Sequence, residues 1–217
     1  MKKQKYSSLF VILAALNCVA MLVANIGAFK QTQFLQWSIP GGSLVFIITY
    51  VTSDIFSEVY GFKASQFVMW LGFGLNAFCV AMLQFAIWLP APVWFEGSEE
   101  FAMVLGNTPR VFLAGMIAFV VGSFMDDVVF DRFKQRHGAG NRFALRAILS
   151  SLVGEVFDST IFTTIAFWGL WPAGEMVSSI ITLVLAKTGY ECLVLPLTTY
   201  LAKRVRAYEN SLEVQNG

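Results

Sequence analysis

Apolar residues run along this 217-residue chain in six long blocks separated by short polar stretches, at roughly 8–29, 43–61, 64–89, 111–131, 144–168 and 176–201. A helix needs about 20 mainly apolar residues to cross the hydrocarbon core of a bilayer. The pattern therefore predicts an all-α membrane protein with six transmembrane helices in a single integral membrane domain, residues 1–217. The first block follows Met1, Lys2, Lys3, Gln4 and Lys5. From Leu9 to Phe29 it is too long for the apolar core of a secretory signal, about 7–15 residues, and no small-x-small cleavage site precedes a polar segment, so it reads as a retained span. Between the first two blocks, Lys30 to Gly42 contains Phe34, Leu35, Trp37, Ile39 and Pro40, a composition suited to an interfacial or re-entrant piece.

Composition agrees with the pattern. The chain is 13% charged and 57% hydrophobic, where a soluble domain is about 25% charged and 45–50% apolar. A net charge of +1 offers no basic excess, so nucleic acid is not expected as a partner. With the N-terminus inside, 12 of the 15 Lys and Arg residues fall on the cytoplasmic side, Lys30 and Arg110 fall outside, and Lys187 lies within a span. Positive residues favour the cytoplasmic face, so both termini are expected there, in a cell inner membrane. Trp88, Trp94, Trp168 and Trp171 then form part of an outer aromatic belt. Cys18, Cys79 and Cys192 lie far apart in apolar stretches and read as packing residues. Small residues at close spacing, such as Gly115, Ala118 and Gly122, let helix backbones approach in lipid.

The informative residues are the charges inside the spans. A charged side chain at the bilayer centre costs at least about 2.5–3.5 kcal/mol on insertion scales. Each one therefore requires a partner, a water-filled cavity or a function. Asp54 and Glu58 are one helical turn apart in the second span, and Glu155 and Asp158 share a face of the fifth. Lys187 and Glu191 are an i, i+4 pair in the sixth, which by itself allows a self-neutralising ion pair. Asp126, Asp127 and Asp131 approach a basic loop with Arg132, Lys134, Arg136, Arg142 and Arg146, where orientation and ion pairing account for them. Asp54, Glu58, Glu155 and Asp158 outnumber the one intramembrane lysine, and packing does not explain that excess. A polar cavity between the second, fifth and sixth spans does. Phosphate-loop, zinc-protease, nucleophile-elbow and dinucleotide motifs are absent. The single histidine, His137, sits beside Gly138 and Gly140 in the cytoplasmic loop and reads as a surface residue. Passage of a small polar molecule suits such a cavity better than catalysis. An intramembrane enzyme with Asp54 and Asp158 as a carboxylate pair, or a membrane scaffold, are the competing classes.

The chain resembles the queuosine precursor transporters, also grouped as vitamin uptake transporters, from about Asn25 to Lys203. The resemblance rests on Asn25 and Lys30, on Tyr50 and the run Ser53 to Gly61, and on Asp131, Arg132 and Phe133. It continues through Asn141, Arg142, Arg146, Ser150, Ser151 and Gly154, then Asp158 to Phe162, Ile165 to Gly169, and finally Lys187, Pro196 and Tyr200. It implies a fold similar to energy-coupling-factor substrate-binding components. It also implies import of 7-cyano-7-deazaguanine or its 7-aminomethyl relative for salvage into tRNA queuosine, with no cofactor. A carboxylate accepts a guanine N1–H and amine together, a role for Asp158 or Asp54, and Lys187 can donate to the ring carbonyl. Tyr50, Phe162, Phe167 or Trp168 can stack on the base, and Glu58 or Glu155 can meet an aminomethyl cation. Asn25 and Glu191 complete the candidate set. Facilitated diffusion, proton coupling and service to a separate energy-coupling ATPase module all remain open, as does another vitamin or purine-like base as cargo.

Overall fold

The computed structural model describes residues 7–34, 37–137 and 143–216. In chain order it comprises α1 (Ser8–Gly27), a hairpin of β1 (Gln31–Phe34) and β2 (Trp37–Pro40), α2 (Ser43–Ile55), and a π-helical turn at Phe56–Tyr60. There follow α3 (Phe62–Trp88), the short α4 (Ser98–Leu105), α5 (Thr108–His137), α6 (Phe143–Phe167) and α7 (Ala173–Asn216). Long helices occupy all six expected stretches. Among the described residues, four segments are long and apolar enough to cross a membrane: Ser8–Gly27, Ser43–Tyr60, Phe62–Trp88 and Ser98–Met125. The remaining two stretches coincide with α6 and α7, the helices that carry Glu155, Asp158 and Lys187. The outer surface is what a bilayer requires: Ile12, Phe62, Trp70 and Phe78 are all more than half exposed. In water such a surface would be an aggregation hazard; in lipid it is the solvated face. The chain is an all-α, multi-pass membrane protein, with one local exception.

That exception lies between the first two helices. The segment from Lys30 to Gly42 is an antiparallel hairpin that pairs Gln31 with Pro40 and Phe34 with Trp37, extended by a 2.7 Å bond from Gly41 N–H to the Lys30 carbonyl. Pairing satisfies backbone groups that a free loop in apolar surroundings would leave unmet. β2 also packs against α7. The hairpin thus ties the α1–α2 connection to the last helix.

α1 begins at Ser7, whose hydroxyl oxygen accepts from the Phe10 N–H at 3.0 Å, an N-cap. α7 is longer than the expected span of 176–201. At 1.5 Å per residue its 44 residues reach about 66 Å, twice the bilayer core. The excess is a polar extension folded against the start of the chain. There Glu209 accepts hydrogen bonds from the Tyr60 hydroxyl at 2.6 Å and from the Ser7 hydroxyl. Both ends of the described chain therefore meet at one end of the bundle, called here the termini end; the hairpin marks the other.

Apolar packing is concentrated at these two ends. Phe10, Ala14, Phe56, Ala64 and Val68 form one cluster, near the termini. Ala28, Val111, Ala114, Ala166 and Phe167 form the other, where Trp171 stacks on Phe167 with ring centroids 3.6 Å apart. At that end Arg110 donates from Nε to the Ile165 carbonyl at 2.5 Å and from Nη2 to the Trp168 carbonyl at 2.6 Å. It thereby caps α6, whose last carbonyls have no helical partner. Gly169, with φ +79°, makes the turn that follows. The middle of the bundle is left for polar groups.

Candidate functional site

Lys187, about a third of the way along α7, reaches across to α6, where its Nζ lies 2.7 Å from Glu155 Oε2 and also bonds Asp158 Oδ2. Glu155 and Asp158 are three residues apart, so the α-helical period presents both to one cation. The three side chains are each only 19–24% exposed. Lys187 thus joins an interhelical trio; the Glu191 side chain, its alternative partner within α7, lies outside the described residues. The side chains of Asp126, Asp127, Asp131, Lys134, Arg136, His137, Arg142 and Arg146 also lie outside them.

α5 and α6 pack closely enough to place Asp158 only because residue 122 is glycine. A Cβ on Gly122 would stand 2.9 Å from Asp158 Cβ and 3.1 Å from the Gly154 carbonyl oxygen. Both are closer than the roughly 3.5–4.0 Å at which heavy atoms rest.

The trio lines a cavity of about 820 Å³. This vestibule lies between α2, α5, α6 and α7, so α5 joins the three helices expected to form it. It reaches the termini end, where Glu58, Lys203 and Arg206 border it. Asp54 and Glu58 both line it. The π turn begins two residues after Asp54 and loosens the one-turn register that an α-helix would impose. Glu58 is taken by Arg206 of the α7 extension, Oε1 to Nη2 2.8 Å, with both side chains more than half exposed. Asp54 stands deeper, on α2 proper. Arg206 could not be foreseen as a partner, because nothing in the sequence pairs the continuation of α7 with the end of α2.

A second, smaller cavity of about 290 Å³ runs beside the first, lined by α1, α2, α3 and α5 and, on the side it shares with the vestibule, by α6 and α7. The two share Tyr50, Phe119, Asp158, Lys187 and Tyr190 as a common wall. Tyr50 and Tyr190 pack with ring centroids 5.9 Å apart, and the Tyr190 hydroxyl donates to the Ile47 carbonyl at 3.0 Å. Asn25 and Phe162 belong to this smaller cavity and not to the vestibule. Trp168 borders neither. It follows the last residue of α6, is 69% exposed, and points away from the polar middle as the chain turns at Gly169. Tyr190 and Asn76 were missed as site residues; aromatic and amide residues are common in spans, and nothing local distinguishes these two.

An apolar exterior around a central ion-paired cavity, reached from one end of a helical bundle, defines a multi-pass membrane protein built to hold a small polar molecule. The chain belongs to the family described as "Putative vitamin uptake transporter", which it matches over residues 40–201. It is also 26% identical over 187 residues, 86% of its length and 81% of the relative's, to a protein of Bacillus subtilis (strain 168) named "Probable queuosine precursor transporter". No solved structure matches it. The matched region takes in α2, α3, α5, α6 and most of α7, and with them every residue of the ionic trio.

Proposed function

We propose that this protein carries a 7-deazaguanine queuosine precursor, the 7-cyano or 7-aminomethyl base, across the cell inner membrane for tRNA queuosine salvage. The observation that supports this most is Lys187 held between Glu155 and Asp158 inside a cavity among apolar helices. The trio has more negative than positive groups, and Asp54 adds another carboxylate to the same cavity. A guanine-like edge presents adjacent N–H donors, and a carboxylate accepts two such donors at once. In this reading the base takes over one carboxylate, Asp158 or Asp54, and Lys187 donates to the ring carbonyl. Tyr50 supplies a stacking face. An aminomethyl cation is met by Glu155. Glu58, near the termini end, serves the entrance or exit with Arg206.

The bias of positive residues supports a cytoplasmic termini end; in this reading the vestibule faces inward and six crossings bring the chain back to the side on which it began. The lipid bilayer is its permanent partner. A separate ATPase module would convert the bundle into a substrate-binding subunit; without one, it works by facilitated diffusion or by proton coupling through the trio. It is a carrier, not an enzyme.

The test is a thermal-shift and binding titration of the detergent-purified chain against both deazaguanines, guanine and unrelated vitamins. Stabilisation by a deazaguanine and not by the vitamins is expected. Stabilisation by a vitamin alone would transfer the assignment to that cargo. Uptake into intact cells with and without an uncoupler then separates the energy sources: accumulation that survives collapse of the proton gradient excludes proton coupling.

A further inference from the structure

The smaller cavity contains a feature the ionic trio does not account for. Asn25 on α1 and Asn76 on α3 both line it, and their side chains are more than nine-tenths buried, at 8% and 6% exposure. Asn25 Nδ2 donates to Asn76 Oδ1 at 3.1 Å. A carboxamide has both an acceptor oxygen and an amine with two hydrogens. Among the described residues, Asn25 Oδ1 and Asn76 Nδ2 make no hydrogen bond. Asn17, equally buried in the same wall, differs: its amine donates to Thr52 Oγ1 at 2.7 Å and is occupied by α2. Neither atom is fully enclosed, so each opens onto the cavity, and a donor and an acceptor that face a cavity without a protein partner point to a ligand. The other walls carry Phe46, Phe73, Phe112 and Phe162, faces suited to a flat ring.

One acceptor and one donor on two amides joined by a hydrogen bond, in a cavity that aromatic rings also line, match a cyclic amide edge. The ring N–H would donate to Asn25 Oδ1, and the neighbouring ring carbonyl would accept from Asn76 Nδ2. A cavity of about 290 Å³ falls at the lower limit for small-ligand pockets, roughly 300–1,000 Å³, and so suits one bicyclic base. We infer that the Asn25–Asn76 pair forms a second binding station, for the uncharged lactam edge of a 6-oxopurine-like base, across the Tyr50–Asp158–Lys187–Tyr190 wall from the vestibule. The inference rests on the carrier reading above. It adds that the base passes between an amide station and an ionic one, and that the shared wall must part to let it through.

The experiment titrates the purified full chain with 7-cyano-7-deazaguanine and with the same compound lacking its 6-oxo group. Wild type, Asp158→Asn, and Asp158→Asn combined with Asn25→Leu and Asn76→Leu are compared. Replacing both asparagines together removes donor and acceptor alike, so the triple variant is expected to fold; its melting temperature is measured alongside. Asp158→Asn should retain a weaker binding event that prefers the 6-oxo compound by about tenfold or more, since a site built to bond a group rejects the analogue lacking it. Adding the two leucines should abolish the preference. The station is refuted if Asp158→Asn binds both compounds alike, or if the preference survives the leucines. It is refuted equally if the leucines lower the melting temperature and weaken both compounds by the same factor, the signature of a purely structural bond between α1 and α3. A wild-type protein that binds no deazaguanine would overturn the proposed cargo instead. The same comparison with hypoxanthine and unsubstituted purine then decides the amide station separately.

Discussion

Gly122→Ala probes the least tolerant contact behind the ionic trio. The added methyl group would sit 2.9 Å from Asp158 Cβ and 3.1 Å from the Gly154 oxygen, so α6 must withdraw by about 0.6–1 Å to restore ordinary contact. Forcing one extra carbon into a packed interface costs about 1–3 kcal/mol. Alanine recovers about 1 kcal/mol through its better helix propensity. The net change is therefore about 0–2 kcal/mol of destabilisation. Gly74 on α3 is a suitable control, because a Cβ there meets nothing within 4 Å; Gly74→Ala should show only the propensity gain. The difference between the two variants, about 1–3 kcal/mol, isolates the steric cost and corresponds to roughly 2–12 °C in melting temperature at 2–4 °C per kcal/mol. The same withdrawal moves Asp158 away from Lys187, so ligand affinity should fall about tenfold or more in Gly122→Ala and stay unchanged in Gly74→Ala. Thermal unfolding in detergent and a binding titration read both effects. Equal melting temperatures and equal affinities for the two variants would refute the packing argument.

Other substitutions test separate parts of the structure. Lys187→Ala removes the cation shared by Glu155 and Asp158 and should cut ligand stabilisation sharply, as should Asp158→Asn, leaving in both only the weaker binding of the amide station; wild-type affinity in both would reject the trio as the ionic station. Arg110→Met leaves the Ile165 and Trp168 carbonyls uncapped and should cost about 1.5–3 kcal/mol, seen as a lower melting temperature. Gly61→Ala places a side chain at φ +86°, ψ 167°, a region essentially restricted to glycine, at a cost of about 1–3 kcal/mol; an unchanged melting temperature would show that the turn relaxes.

The pattern of apolar blocks by itself determined that this chain lies in a membrane as a set of long helices. Bilayer thickness and the need to satisfy every backbone group leave few other outcomes for such blocks. It also determined that Asp54, Glu155, Asp158 and Lys187 required an explanation, since charges in apolar stretches are costly wherever the chain folds. Partnership was a different matter. Lys187 and Glu191 are four residues apart on one helix, yet only the packing of α6 against α7, with Gly122 admitting the close approach of α5, decided that Lys187 meets Glu155 and Asp158. Glu58 found Arg206 because α7 continues beside α2 beyond the expected end of its span, a contact 148 residues apart in sequence. Asn25 was legible as a polar residue near the end of the first span, but its pairing with Asn76 across 51 residues was not. Helix period and hydropathy are local quantities that a sequence displays directly. Which faces meet depends on crossings that small residues permit at a distance, and here the tertiary structure alone placed the charges and amides that the sequence could only mark as out of place.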